Sequence, residues 1–104
     1  MTNNLNSVIV EGIITECEKM EKATAFKVRT MRYFKDVYGE IHEESSYFIV
    51  EAYGKLAQAC DKILAVNVGV RVVGRLKTLN YENYRVIIIA EHIEAKPVTV
   101  VEDA

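Results

Sequence analysis

The sequence predicts an all-β domain, a five-stranded barrel with one helix between its third and fourth strands. Three features support this prediction: stretches of alternating apolar and polar residues, an abundance of valine and isoleucine, and one segment with helical spacing. The chain has 104 residues, the size of a single domain, and half of them are hydrophobic. A folded domain with one modest core is therefore expected rather than a disordered chain.

The first three strands are predicted in the first half of the chain. The first covers "NSVIVEGII", residues 6–14, where Gly12 indicates a bend or bulge. The polar stretch "TECEKMEKAT" that follows is typical of a turn. The second strand is expected over residues 25–34 and the third over residues 45–53, with the acidic loop "KDVYGEIHEES" between them.

The only helical pattern lies in "GKLAQACDKILA". There, the spacing of a helix with one buried face is shown by Leu56, Ala59, Cys60 and Ile63. The fourth strand is predicted over residues 69–79 and the fifth over residues 84–94, joined by a short connection at "NYEN". Because "VIII" is apolar on both faces, the fifth strand is expected to be central or to be covered by another subunit.

Three strands, one helix and two strands follow the order of the OB-fold, a five-stranded Greek-key barrel. An SH3-like barrel also has five strands, but a helix of three turns between strands three and four fits the OB-fold better. We assign residues 1–96 to this domain. The remaining residues, 97–104, begin with a proline and form a short C-terminal tail.

The outer face of the predicted barrel carries both cations and tyrosines. We take Val28, Val50 and Val72 as facing the core. The outward positions are then Lys27, Arg29, Tyr47, Tyr53, Arg71, Arg75 and Lys77, with Tyr81 added if the alternation continues past Leu79. Cations neutralise phosphates and aromatic rings stack on exposed bases, so this set is typical of single-stranded nucleic-acid binding. On alternation alone a subunit contact or a solvated face stays equally open, and Phe34 is expected in the core unless the strand bends or bulges.

Other functions receive little support from the sequence. The formal net charge of -2 argues against a highly basic nucleic-acid binder, although it allows a local basic surface. His42 and His92 have no obvious triad partners, "GEIHEES" has no second cluster to complete a metal site, and "GKL" is not a phosphate loop. We expect no enzyme activity, metal or cofactor. Two reduced cysteines and no signal or membrane-spanning segment lead us to expect a soluble, cytoplasmic protein.

Four stretches of the chain, in this order, resemble the bacterial single-stranded DNA-binding protein family. They are "NSVIVEGII", "FKVRT", "YFIVEAYGKLAQAC" and "VGVRVVGRLKTLNYEN", and they cover roughly residues 5–95. The resemblance implies an OB-fold that coats single-stranded DNA in replication, recombination and repair, as a homotetramer, with a dimer as the alternative. It also implies base stacking by Phe34, Tyr47, Tyr53 and Tyr81, and a phosphate contact by Lys55. Phe34 is thereby expected outside the core.

The sequence also departs from the family. Ser7, Leu79 and Asn80 stand where the family often has basic residues, so weaker binding or a smaller occluded site is expected. The resemblance does not extend to recruitment of replication and repair enzymes, because "PVTVVEDA" stands in place of a long tail with an acidic tip. Subunit contacts are expected near "NSVIV" and on the apolar "RVIIIA" face.

Two further functions stay open on the sequence. One is a primosome-type accessory protein that binds DNA as a dimer and bridges to a helicase, and subunit number would separate it from the coating function. The other is an OB-fold interaction module that no longer binds nucleic acid, in which the tyrosines form a protein interface.

Overall fold

The structure, a computed structural model, describes residues 1–80, 83 and 85–97. These residues form five strands and one helix in the predicted order, which confirms the all-β OB-fold architecture. The elements are β1 (Val8–Lys19), β2 (Ala23–Lys35), β3 (Ile41–Tyr53), α1 (Gly54–Ala59), β4 (Gly69–Asn80) and β5 (Arg85–Ala95). The strands close a barrel in the order β1-β2-β3-β5-β4. The connection between β4 and β5, including Tyr81, lies mostly outside the described residues.

The barrel interior is formed by the faces that the alternation predicts. Val28, Val50 and Val72 are fully buried. Strand β5 is central, because it pairs with β3 on one side and with β4 on the other. Residues 87–90 of β5 are buried within the single chain, so the expected subunit contact through "RVIIIA" is wrong for most of that stretch. Only its first two residues are exposed.

Strand β1 is longer than predicted, because "TECEKMEKAT" is largely strand and not a turn. A register shift lies between Ile14 and Glu16, so the bulge falls after Gly12 rather than at it. Gly12 has a different role. A Cβ atom at this position would collide with the carbonyl oxygen of Arg29. Glycine therefore lets β1 pack closely against β2.

Helix α1 has six residues rather than the three turns that the pattern predicts. Its C-cap is Cys60, and the chain then continues through turns. The buried positions are Ala57, Cys60 and Leu64, whereas Ala59, which the sequence places on the buried stripe, is exposed. The predicted set and the observed set of buried residues both consist of apolar residues at helical spacing, so periodicity alone cannot tell which set is buried. No helix among the described residues is long and apolar enough to cross a membrane.

Strands β2 and β3 extend beyond the barrel as a two-stranded arm, which we define as residues 31–45. The two strands pair without a register shift from Ala23–Tyr53 to Lys35–Ile41. Pairing of β2 with β1 stops at Arg29, and pairing of β3 with β5 stops at Val50. Every arm residue except Asp36 is exposed. The predicted acidic loop is therefore mostly strand, with only residues 36–40 between the strands.

Candidate nucleic-acid interface

The outer faces of β2, β3, β5 and β4 form one continuous surface, which we call the wall. Cross-strand pairing places Arg29 opposite Tyr47 and Lys27 opposite Ile49. On the other side of the wall, Lys77 lies opposite Ile87 and Arg75 lies opposite Ile89. The parallel pair Val50–Ile88 joins the two halves, so that Ile49 and Ile87 are neighbours. A row thus runs from a lysine on β2 to a lysine on β4, and Ile87 within this row is buried.

Both tyrosines predicted on the wall are solvent-exposed. The exposed fraction is 57% for Tyr47 and 50% for Tyr53, on the face opposite the buried Val50. The Tyr53 hydroxyl donates a hydrogen bond to Glu51 Oε1 at 2.8 Å, and this bond raises the pKa of Tyr53 above its ordinary value. Tyr47 stands next to Arg29, which is half-buried and whose Nε has no hydrogen-bond partner in the described part of the chain.

The predicted phosphate-contacting cations differ in how far neighbouring carboxylates neutralise them. Arg71 donates from Nε to Glu11 at 2.7 Å and from Nη1 to Glu94 at 3.0 Å. Lys96 also donates to Glu11, and the bonds from Lys96 and Arg71 hold the pKa of this carboxyl below its ordinary value. Arg71 is therefore committed to an ion-pair cluster that ties β1, β4 and β5 together.

The other predicted phosphate-contacting cations are less neutralised by carboxylates than Arg71. Lys27 forms one long ion pair, 3.3 Å from Glu16. Among residues 1–80, 83 and 85–97, the structure has no ion pair for Lys55, Arg75 or Lys77, and all three are exposed. Arg75 and Lys77 on β4 are thus the cations of the wall that are best placed to meet a phosphate.

Phe34 lies on the arm, where it is 38% exposed. It reaches solvent without the bulge that the alternation requires, because the arm has left the barrel and both of its faces are open. The ring stacks on His42 of β3, with ring centroids 5.5 Å apart, and the guanidinium of Arg32 lies 5.3 Å from its centroid. Phe34 is therefore the centre of a three-membered platform, on the face of the arm opposite to that of Tyr47.

Sequence reasoning missed two members of this platform and a further exposed aromatic residue. Arg32 and His42 were not assigned to the interface, because their contact with Phe34 depends on the pairing of β2 with β3. Tyr33 is 62% exposed and shares the face of Tyr47. The alternation from Lys27 and Arg29 leads directly to Tyr33, so this signal was present in the sequence.

The arm ends in a turn organised by Asp36. Its carboxylate accepts hydrogen bonds from the backbone amides of Tyr38 at 2.8 Å and Glu40 at 3.0 Å, and it bonds to His42 Nε2 at 2.7 Å. Asp36, Glu40 and His42 each offer one ligand atom within 4.8 Å of the others. Because the carboxylate oxygens of Asp36 already close the turn, the cluster has a structural explanation. His92, the other histidine, lies 3.7 Å from Glu94 on the same strand.

Comparison with known proteins agrees with this geometry. The model of the single-strand binding protein family matches residues 5–95. "Single-stranded DNA-binding protein 1" of Chlorobaculum tepidum is 30% identical over 89 residues, which is 80% of this chain and 55% of that protein. The chain therefore belongs to the single-strand binding protein family.

Solved structures share the fold. A Plasmodium falciparum single-stranded DNA-binding protein in complex with single-stranded DNA has a TM-score of 0.74 and 16% identity, over 93% of this chain and 99% of that chain. A deletion mutant of the Thermus aquaticus protein has a TM-score of 0.71 and 21% identity, over 89% and 51% of the two chains. The chain thus spans about half the length of the Chlorobaculum and Thermus proteins.

Proposed function

We propose that this protein binds and coats single-stranded DNA without strong sequence preference, and so supports DNA replication, recombination and repair. The observation that carries the proposal is the wall, which combines the exposed Tyr47 and Tyr53 on β3 with Arg75 and Lys77 on β4, two exposed cations that no carboxylate neutralises among the described residues. Such a surface stacks bases and neutralises phosphates at the same time. We propose a binding role in the cytoplasm, without catalysis.

We assign base stacking or phosphate contact to each side chain according to its environment. Tyr47 and Tyr53 stack bases on the wall, and Phe34 stacks a base on the arm. Tyr81 joins them by resemblance alone. Phosphates are contacted by Lys27, Arg29, Lys55, Arg75 and Lys77. Arg71 contributes less than these, because a phosphate would have to displace two carboxylates that it already binds.

The positions of the stacking residues imply a path for the strand. Phe34 lies on one face of the two-stranded arm, and the opposite face of the arm continues into the face of β3 that carries Tyr47. A single DNA strand that contacts both must therefore cross an edge of the arm. The relatives support the binding role by their names, since one is a single-stranded DNA-binding protein and another is described in complex with single-stranded DNA.

We further propose that the protein is a homotetramer, with a dimer as the alternative. Residues 8–12 of β1 pair with β4, and in the described pairing β2 meets β1 only from Ile13 onward. One edge of this part of β1 is thus available for pairing with a second copy. Ile9 on the same stretch is 64% exposed. Light scattering on the purified protein measures the subunit number directly, and a monomer would contradict the proposal.

The test of DNA binding is a titration with a labelled dT oligonucleotide of about 35 nucleotides, at low and at high salt. We expect tight binding that quenches tyrosine fluorescence and weakens as salt rises. The double variant Tyr47→Ala, Tyr53→Ala should lose about 2–6 kcal/mol of binding free energy, since each stacked base contributes about 1–3 kcal/mol. The control is Tyr38→Ala, which removes an exposed tyrosine from the turn of the arm.

Each result decides between the candidate functions. No binding of the parent even at low salt would overturn the coating function and favour the interaction module. Binding of the double variant at the strength of the parent would mean that Tyr47 and Tyr53 do not stack bases. Equal losses of binding free energy in the double variant and the control would also contradict the proposal that bases stack on the wall.

A further inference from the structure

The turn between β1 and β2 lies beside the start of α1, where the ladder between β2 and β3 ends. We call this turn, residues 20–22, the ladder turn. Tyr53 is the last residue of β3, and its partner across the ladder is Ala23, the first residue of β2. Lys22 precedes Ala23, and its carbonyl oxygen accepts a hydrogen bond from the amide of Gly54 at 3.0 Å. The backbone of Lys22 is therefore held next to Tyr53.

The surroundings of Tyr53 leave space on the side of the ladder turn. Residues directly opposite each other in a ladder are those whose side chains meet, and opposite Tyr53 this residue is Ala23, whose methyl group is too short to cover an aromatic ring. A cavity of about 300 Å³ opens between the ladder turn and α1, and its lining includes Lys22 and Gly54. A DNA strand that passes Tyr53 on this side has room to continue.

Two lysines flank Tyr53 at this end of the ladder. Lys22 belongs to the ladder turn, and Lys55 is the second residue of α1. Both side chains are exposed, and in the described part of the chain neither forms an ion pair. An exposed aromatic ring between two cations of this kind matches a nucleotide, whose base stacks on the ring while its phosphates meet the cations.

The carboxylates of the same region do not neutralise Lys22. Asp61, which also lines the cavity, lies 2.9 Å from Nζ of Lys19 and is neutralised by that lysine. Glu21 belongs to the ladder turn itself, but within the described ranges it forms no ion pair with Lys22. The positive charge of Lys22 is therefore available to a ligand.

We propose, on the basis of the DNA-binding function proposed above, that Lys22 is a further phosphate contact and that the DNA strand leaves the wall over the ladder turn. The nucleotide stacked on Tyr53 has a phosphate on each side of its sugar. Lys55 contacts one of these phosphates and Lys22 contacts the other. A lysine suits this position because its ammonium group is a compact charge on a flexible stem, so it can follow a phosphate without a fixed geometry.

The test measures how the binding of a dT oligonucleotide of about 35 nucleotides depends on salt in the variant Lys22→Gln. For single strands, each phosphate contact contributes about 0.7 to the slope of log K against the logarithm of salt concentration. Lys22→Gln should therefore reduce the magnitude of this slope by about 0.7 for each bound subunit. The matched control is Lys62→Gln, which removes an exposed lysine that does not line the cavity and should keep the slope of the parent.

A second measurement tests whether Lys22 acts on the nucleotide that stacks on Tyr53. Lys22→Gln is introduced into the variant Tyr53→Ala, and the salt slopes are compared again. Without the stacked base the phosphate is no longer held beside the ladder turn, so Lys22→Gln should change the slope less than it does in the parent. An equal change in both backgrounds would overturn the placement of Lys22 beside this nucleotide.

The outcomes separate this proposal from the function on which it rests. If the parent binds dT and Lys22→Gln keeps its salt slope, the contact is overturned while DNA coating stands. If the parent does not bind dT even at low salt, the coating function itself fails. Equal reductions of the slope in Lys22→Gln and Lys62→Gln would indicate general surface charge and overturn the contact. If Lys22→Gln changes the subunit number and leaves the slope unchanged, Lys22 is a subunit contact, and the proposal is overturned.

Discussion

The wall and the arm share strands β2 and β3, yet these strands differ in support and in charge between the two regions. On the wall, β2 and β3 have further strands beside them and a buried face beneath. On the arm, both faces are open and nearly every residue is exposed. The arm carries two cations and four carboxylates, namely Arg32, Lys35, Asp36, Glu40, Glu43 and Glu44. The difference teaches that the stability of the fold depends more on the inner part of these strands, which covers the core, than on the outer part.

Replacing one glycine of the barrel and one glycine of the arm should test the difference in support most clearly. Gly12→Ala forces a Cβ atom into the carbonyl oxygen of Arg29, so β1 and β2 must separate. We expect this change to reduce the free energy of unfolding by about 3 kcal/mol, the upper range for overpacking a tight site. Gly39→Ala meets no neighbouring atom but keeps an unfavourable φ of +82°, and it should cost only about 1–2 kcal/mol.

Urea denaturation of the two variants measures these losses. Because the arm contributes nothing to the core cluster, the Gly39→Ala cost should be confined to the arm. The urea midpoint of global unfolding should therefore fall by less than this local cost implies. A larger loss for Gly39→Ala than for Gly12→Ala would show that the arm, and not the barrel, limits stability.

The two faces of the arm should differ in their effect on DNA binding. Phe34→Ala removes the centre of the platform formed with Arg32 and His42, and it should weaken binding by about 1–3 kcal/mol. Tyr33→Ala removes a neighbouring aromatic residue on the opposite face and should change affinity less than twofold. Titration with the same dT oligonucleotide compares them. A larger loss of affinity for Tyr33→Ala than for Phe34→Ala would mean that the DNA strand runs along the face of the arm that continues from Tyr47.

The smallest expected effect is a difference in acid sensitivity. The pKa of Glu11 is held below its ordinary value of 4.5 by Lys96 and Arg71, so its contribution to stability is present above about pH 4.5 and is lost as pH falls through the lowered pKa. Glu11→Gln should therefore make the melting temperature less dependent on pH below 5. The control is Asp36→Asn on the arm, where the bond to His42 lowers the pKa of a carboxyl whose ordinary value is 3.8.

The arm should open locally without unfolding the barrel, so Asp36→Asn should leave the acid dependence of the melting temperature close to that of the parent. An equal flattening of the pH dependence by both variants would mean that barrel and arm unfold as one unit.

Much of the fold could be predicted because inward and outward residues alternate along most strands. The phase fixed by Val28, Val50 and Val72 placed Tyr47 and Tyr53 outside correctly, and the order of elements defined the barrel. Alternation reports the environment on either side of one strand. It works wherever one side is the core and the other is solvent.

The same rule fails where tertiary structure changes what surrounds a strand. Phe34 has the phase of a core residue, but no core lies beneath it once the arm has left the barrel. The acidic composition of residues 35–45 indicated a loop, although most of them form a strand ladder whose polarity reflects solvent on both faces. The ion-pair cluster around Arg71 joins three strands, and no spacing along the sequence could have indicated it.

The carboxylates of the arm lie next to open strand edges, and this position has a consequence for aggregation. Beyond Arg29 and Val50, the described pairing provides no third strand for β2 or β3, so unpaired backbone groups face outward along both. Exposed strand edges recruit other chains and lead to aggregation, and charged side chains oppose such recruitment. The negative charge of the arm thus opposes pairing of its edges with the arm of another molecule. Phe34 stays accessible to a ligand that is not a β-strand.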